Sequence, residues 1–201
     1  MEVAEALRRR RMVRAYDPDR PVPSEVVDAV CAAALRTPSA GFTQGVSLLV
    51  ASTAESRSAF WAATADGESA WLRGMRSAPV LIMLWTSRQA YLDRYAEPDK
   101  GWGDRDPERW SAPYWYVDGG MAALAALVTA VDQGLGACFF GIPVERVGRV
   151  RASFAVPADQ LTVGVISLGY PVPGPPSGSP TRRARKPTEE LLHRETWTPH
   201  R

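Results

Sequence analysis

Histidine and cysteine are scarce in this chain, two of each in 201 residues, and both histidines, His193 and His200, fall within the last ten. Cys31 and Cys138 lie in the apolar stretches AVCAAAL and GACFFG. Neither has metal-ligand spacing, so no metal site is expected, and two cysteines are too few for a disulfide scaffold. Buried, reduced thiols are the expectation, which suits the cytoplasm. The N-terminal MEVAEALRRRR places its charge after a short amphipathic segment and lacks the apolar core of a signal peptide. Long hydrophobic runs are missing as well. The longest, Met121 to Val131, covers 11 residues, against about 20 needed to cross a bilayer, so it reads as a buried helix and no membrane partner is expected. The net charge of +2 is too small to mark a nucleic-acid binder. Both phosphate-loop signatures are absent: there is no G-x-G-x-x-G after a strand and no Walker lysine motif.

What remains is a chain 45% hydrophobic, enough for one core and a single domain over residues 1–201. Glu2 to Arg9 reads as a short helix with Val3, Ala6 and Leu7 on its apolar side, followed by a proline-rich stop from Asp17 to Pro23. Ser24 is the expected N-cap of a second helix carrying Val26, Val27, Val30 and Ala34 at helical spacing. Val46 to Ala51, Pro79 to Trp85 and Leu161 to Leu168 are apolar on both faces, as strands of a covered sheet are. A shorter strand is expected over Ala137 to Phe140, an alanine-rich helix from Asp118 to Gly134, and another helix after Pro143. Tyr91 to Tyr116 changes to Trp, Tyr, Asp, Pro and Gly without periodicity, either a mobile lid or a packed irregular excursion. The order of elements lacks regular βαβ alternation, so the class expected is α+β.

Four short constellations can carry chemistry. Arg10-Arg11-Met12-Val13-Arg14-Ala15-Tyr16 places arginines at i and i+4, a spacing that converges on one anion, and guanidinium matches phosphate oxygens bidentately. Thr37 to Gly45 combines small residues with Ser39, Thr43 and Gln44, able to approach and hydrogen-bond a flat heterocycle. Gly134 to Gly141 joins a helix end to an extended segment whose amides can serve a ring nitrogen. Arg182-Arg183-Ala184-Arg185-Lys186-Pro187 follows the last strand. Taken singly, these read as a solvated basic face, an ordinary loop, a packing segment and a solvated tail.

In this order and at these separations they resemble the nitroreductase family of FMN-dependent oxidoreductases. That family opens with Arg-Arg-Ser-x-Arg-x-Phe/Tyr, here Arg10 to Tyr16. It continues through a Pro-Ser-Ala/Ser-Gly-Asn-x-Gln-Pro loop, here Pro38 to Gly45, to a Gly-Leu-Gly segment and a Leu-Gly-Tyr-Pro strand end, here Leu168 to Pro171. An Arg-x-Lys/Arg-Pro signature closes the set, here Arg185 to Pro187. The resemblance implies a three-layer fold, a mainly antiparallel sheet flanked by helices, with the arm from about residue 171 to 201 exchanged between subunits of a homodimer. It implies that Arg10, Arg11, Met12 (through its backbone) and Arg14 contact the FMN phosphate and ribityl chain, joined by Arg183 and Arg185. Pro38, Ser39, Ala40 and Gln44 would line the isoalloxazine from the partner subunit. Phe139, Phe140 and Gly141 would run beside the ring, and no catalytic side chain is needed, because the flavin carries the hydride.

The activity so implied is hydride transfer from NAD(P)H to a small acceptor such as a nitroaromatic or quinone. Three departures stand out: Met12 replaces the motif's serine, Phe42 its asparagine and Gly45 its proline. Phe42 narrows the substrate side and is the candidate substrate contact. It leaves two alternatives open, a specialised member (dehalogenase, dehydrogenase or flavin-processing enzyme) and a flavin-storage protein without turnover. The polar tail after Tyr170 carries Leu191, Leu192 and Trp197, which gain most by wrapping a partner.

Overall fold

Strand β2 (Val80–Ser87) is buried along nearly its whole length, so it must be covered on both faces. The computed structural model, which describes residues 1–174 and 181–197, supplies both covers. Val80, Ile82 and Leu84 point into a core shared with helices α2 (Ser24–Leu35) and α6 (Tyr114–Asp132). Leu81, Met83 and Trp85 point into the opposite core, built with α3 (Ala54–Thr64), α4 (Ala70–Arg76) and α7 (Val147–Phe154). The period-2 alternation of a strand thereby divides one apolar run between two helical layers.

The four-stranded sheet has the order β1-β2-β4-β3, with β1 (Val46–Ala51), β3 (Gly136–Phe140) and β4 (Gln160–Gly169), and every neighbouring pair is antiparallel. β1 and β3 are therefore the two edges. The α+β, three-layer expectation holds. Short helices α1 (Val3–Arg9) and α5 (Arg88–Ala96) complete the described set.

Some local expectations need correction. Ser24 does not cap α2. Pro23 occupies that position, and the Ser24 hydroxyl donates to Glu25 instead. α6 begins at Tyr114, a turn before Asp118, because Pro113 leads it and Trp115 is buried. Cys138 is buried but Cys31 only half so. α6 has the length and composition of a membrane-crossing helix, and here it lies along the sheet with Ala122, Ala123, Ala126 and Ala130 buried against α2 and the strands. Part of the expected C-terminal arm, residues 175–180 and 198–201, lies outside the described residues.

Helices α3 and α4 have no counterpart in the sequence expectations. Thr53 and Ser56 close a reciprocal capping box at the start of α3, and the Ser69 hydroxyl accepts from the Leu72 N–H at the start of α4. α4 then packs on the chain at Arg14 so closely that a Cβ on Gly74 would stand 2.1 Å from the Arg14 carbonyl oxygen. Gly74→Ala must displace backbone, and overpacking of this kind costs about 1–3 kcal/mol. Gly148 in α7 has nothing within 4 Å of the same position, so Gly148→Ala should hold or raise stability by up to about 1 kcal/mol. Urea denaturation of both variants checks the contrast.

Candidate functional site

The arginine segment is an extended strip laid against the edge of the sheet. α1 ends at Arg9, and Arg10 (φ −53°, ψ 126°) turns the chain into extended backbone. Met12 forms a parallel bridge with Ala137 of β3, the Val13 N–H donates to the Ala137 carbonyl at 2.9 Å, and the Phe139 N–H reaches the Met12 sulfur at 3.5 Å. Tyr16 is buried. Its hydroxyl donates to the Val13 carbonyl (2.6 Å) and pairs with the Ser167 hydroxyl (2.7 Å), while its N–H donates to Ser77 Oγ (2.9 Å). Burial pushes the Tyr16 phenol well above the usual tyrosine range, with the Ser167 hydrogen bond acting the other way.

Extended backbone alternates its side chains, so Arg10, Met12 and Arg14 share one face and Arg11 takes the other. The structure separates their roles accordingly. Arg11 turns back and donates to the carbonyls of Arg8 (2.7 Å) and Arg10 (3.1 Å), satisfying the C-terminal end of α1. Arg10 Nη1 is buried without a hydrogen-bond partner. Arg14 makes one long contact, 3.3 Å to the Met12 carbonyl. Its cation reaches Cys138, whose thiol is raised by burial and pulled the other way by Arg14. Among the described residues no carboxylate pairs with Arg10, Arg11 or Arg14. A buried, unpaired guanidinium nitrogen is costly unless an anion meets it, and a phosphate is the group this donor set fits.

β3 carries the third constellation to the same place. Phe139 and Phe140 are half-buried and Gly141 is exposed just past the strand. Trp61 stacks on Phe140 (5.9 Å, 7°), and Trp71 of α4 meets it edge-on (5.8 Å, 83°). Neither tryptophan stands out in the sequence pattern. Each lies on a helix, α3 or α4, whose short apolar pattern gives little periodic signal.

The loop from Pro38 to Gly45 stands elsewhere. The Ala40 N–H donates to Asp118 Oδ2 at 2.9 Å, and the Tyr91 hydroxyl donates to the same oxygen at 2.7 Å. Asp118 is 2% exposed. Gln44 N–H donates to Ser39 Oγ (2.9 Å), and Arg94 Nε donates to the Gly41 carbonyl (2.8 Å) while its terminal nitrogens grip Asp99. Gly41 is left-handed (φ 61°), and a Cβ there would come within 2.7 Å of the Tyr95 ring. Phe42 (φ 56°) and Gln44 (φ 54°) are left-handed too, a conformation that costs non-glycine residues energy. Phe42 is nonetheless 75% exposed. A cavity of about 220 Å³ opens beside the loop, lined among others by Thr37, Pro38, Ser39, Gln44 and Asp118.

The aromatic excursion packs behind this loop. Trp110 meets Tyr95 (4.3 Å), Trp102 (5.3 Å) and Tyr114 (5.6 Å), and Tyr91 and Tyr95 of α5 press on the loop's glycines.

The structure thus brings two of the four constellations together and sets the Pro38–Gly45 loop apart from them. The arginine strip and Phe139–Gly141 share the β3 edge. The Pro38–Gly45 loop leads into β1, the opposite edge, three strand spacings or roughly 14 Å away. Arg183 and Arg185 are exposed.

Two outcomes follow for the buried network under the loop. Asp118→Ala strands the Ala40 N–H and the Tyr91 hydroxyl, so stability should fall by about 1–3 kcal/mol, and less in Asp118→Asn, whose amide oxygen still accepts. Burial first, and then the hydrogen bond to Asp118, push the Tyr91 phenol up from its usual range. The folded protein keeps this proton after the unfolded chain has begun to release it, near pH 10. Stability from this group is therefore whole below about pH 10 and falls as pH rises beyond it. Tyr91→Phe should flatten that alkaline decline in denaturation curves taken across the range.

A model of the nitroreductase family matches residues 7–170. A Methanothermobacter thermautotrophicus protein, assigned as an NADH dehydrogenase/NAD(P)H nitroreductase, is 30% identical over 199 residues, covering 98% of this chain and 88% of its own. Among solved structures, an assigned nitroreductase from Desulfovibrio desulfuricans in complex with FMN superposes with TM-score 0.73 at 24% identity, covering 98% of this chain and 99% of that one. Another FMN complex, from Exiguobacterium sibiricum, gives TM-score 0.75 at 17% identity over 97% and 98%. With a family match across most of its length and a relative alignable over nearly all of it, this chain belongs to the nitroreductase family.

Proposed function

We propose that the protein is an FMN-dependent oxidoreductase that takes hydride from NAD(P)H and passes it to a small organic acceptor such as a nitroaromatic or a quinone. The observation that carries this reading is the Arg10 guanidinium, which buries a nitrogen without a partner on the same face of the strip as Arg14, whose described contact is to the Met12 carbonyl. FMN ends in a phosphate, and its ring needs a close backbone flank, which the end of β3 at Phe139–Gly141 offers along the same edge, with the Phe139 and Phe140 rings packed on opposite faces of the sheet. When bound, FMN supplies the hydride chemistry itself. Arg10 and Arg14 bind the phosphate end and keep positive charge beside the cofactor. Arg11, held on the end of α1, adds to that field. The Met12 backbone spaces the strip from β3, and the Gly141 amide orients the ring by donating a hydrogen bond. Arg183 and Arg185 close over the phosphate from the C-terminal side.

The same reading includes a homodimer. A ring at the β3 edge lies too far from the Pro38, Ser39, Ala40 and Gln44 loop of its own chain, so a partner subunit supplies that loop. Exposed Tyr116, Val117 and Leu124 on α6, and Leu191, Leu192 and Trp197 on the arm, are surfaces suited to such a partner. Exchange of the C-terminal arm would bring Arg183 and Arg185 within reach. The free Cys31 and Cys138 support a reducing, cytoplasmic setting.

Phe42 favours a second reading. A large ring held outward in a left-handed conformation restricts what enters above the flavin, as a specialised family member or a flavin-storage protein would require. Rapid turnover of generic quinones and nitroaromatics would reject it.

The purified protein should be yellow or take up added FMN, and one nicotinamide donor should bleach the flavin band. A colourless protein that ignores FMN rejects the proposal. Arg10→Ala and Arg14→Ala should each weaken FMN binding roughly ten- to a hundredfold, the worth of a charged hydrogen bond, with a smaller loss for Arg11→Ala. Sedimentation at micromolar concentration should show a dimer, and a monomer there rejects the shared site.

A further inference from the structure

We propose that Trp71 forms a wall of the flavin site, its indole lying against the isoalloxazine that the Phe139–Gly141 segment receives. The inference rests on the FMN reading above. The sequence motifs give Trp71 no role, and its position comes from α4 alone.

α4 is tied to the arginine strip at two points. Gly74 abuts the Arg14 carbonyl, and Ser77 Oγ accepts from the Tyr16 N–H while donating to the Gly74 carbonyl (2.7 Å). Trp71 precedes Gly74 by three residues, so the two share a helix face. The rise between them is roughly 4.5 Å. The indole thus stands one turn along from the phosphate strip, and its edge-on contact with Phe140 shows that the displacement runs toward the ring segment. α4 bridges the two halves of the cofactor's footprint, with Gly74 at one and Trp71 at the other.

Exposure within the cluster points the same way. Phe60 and Trp61 complete the aromatic group around Phe140 and are buried at 0% and 6%, whereas Trp71 keeps 43% of its surface open. Both neighbours fill the core beneath Phe140. Within this group Trp71 extends outward, on the helix whose Gly74 abuts the Arg14 carbonyl. The indole is electron-rich and flat, and the isoalloxazine is flat and electron-poor, so contact between them gains both apolar burial and π complementarity. Covering the indole also removes water from the flavin's flank, which strengthens the field of the nearby arginines. A second copy of the chain is the competing cover for the same surface.

The test uses the FMN-loaded protein and three sequences: the natural chain, Trp71→Phe and Trp61→Phe. FMN uptake is measured first. If the natural chain takes up none, the flavin reading itself fails, and that result is separate from this one. With occupancy matched, the emission yield and lifetime of bound FMN are then compared. An indole in contact with an excited flavin donates an electron to it and quenches emission, and a phenyl ring does not. Bound FMN should be quenched below free FMN in the natural chain, recover severalfold in Trp71→Phe, and stay quenched in Trp61→Phe. An unchanged lifetime in Trp71→Phe at full occupancy overturns the proposal and leaves the partner subunit as the cover. Should Trp71→Phe fold but lose FMN, fluorotryptophan-labelled natural protein decides the matter. The fluorine resonance missing from the unloaded variant must move when FMN is added to the natural chain, and a stationary resonance overturns the contact.

Discussion

The strip from Arg10 to Tyr16 has no ladder of its own beyond isolated bridges at Met12 and Tyr16, so its place depends on the buried Tyr16. One phenol hydroxyl joins the Val13 carbonyl to Ser167 of β4, and the Tyr16 N–H is tied to Ser77 at the end of α4. A buried hydroxyl must be hydrogen-bonded or lose its solvation energy, and these partners fix the strip in one register. The register decides which arginines share the half-buried face. Arg10 and Arg14 share a face because the backbone is extended, and Arg11 is left to the end of α1. The electrostatics of the candidate site thus follow from packing at a residue buried in the core.

The sheet order imposes the second constraint. With β1 and β3 at opposite edges, the Pro38–Gly45 loop and the arginine strip cannot meet within one chain. Each half is nonetheless built with care for its geometry. The loop spends backbone strain at Phe42 and Gln44, and it is held by Asp118, Arg94 and the two tyrosines of α5. Strain of this kind persists only where surroundings enforce it. The aromatic excursion from Tyr91 to Tyr116 is that enforcement, its rings packed behind the loop.

Much of this was legible from residue pattern. All four strands were anticipated to within two residues, because runs such as PVLIMLW are apolar on both faces and admit few other structures. α2 and most of α6 followed from helical spacing. α3 and α4 did not, since their caps are single serines and threonines, and their apolar residues, Phe60, Trp61, Leu72 and Met75, are interrupted by arginines and a glycine. The role of Asp118 was hidden as well. Its partners are a backbone N–H seventy-eight positions away and a tyrosine on an unanticipated helix. The expected excursion begins inside α5 and ends inside α6; only its middle, residues 97–113, lacks a helical repeat, because its rings pack on one another and on a loop.

By itself the sequence determined the α+β class, the strands, the ordered basic and glycine-bearing segments, and through them the family. Local pattern suffices there, because periodicity and motif order are properties of the chain. Only the tertiary structure decided which arginines stay unpaired, that the Pro38–Gly45 loop stands on the far edge from them, and that α4 carries Trp71 to Phe140 while Gly74 packs on Arg14. Those outcomes depend on strand order and on contacts such as Tyr16 with Ser167 and Gly74 with Arg14. They join residues far apart in sequence, and no local spacing records them.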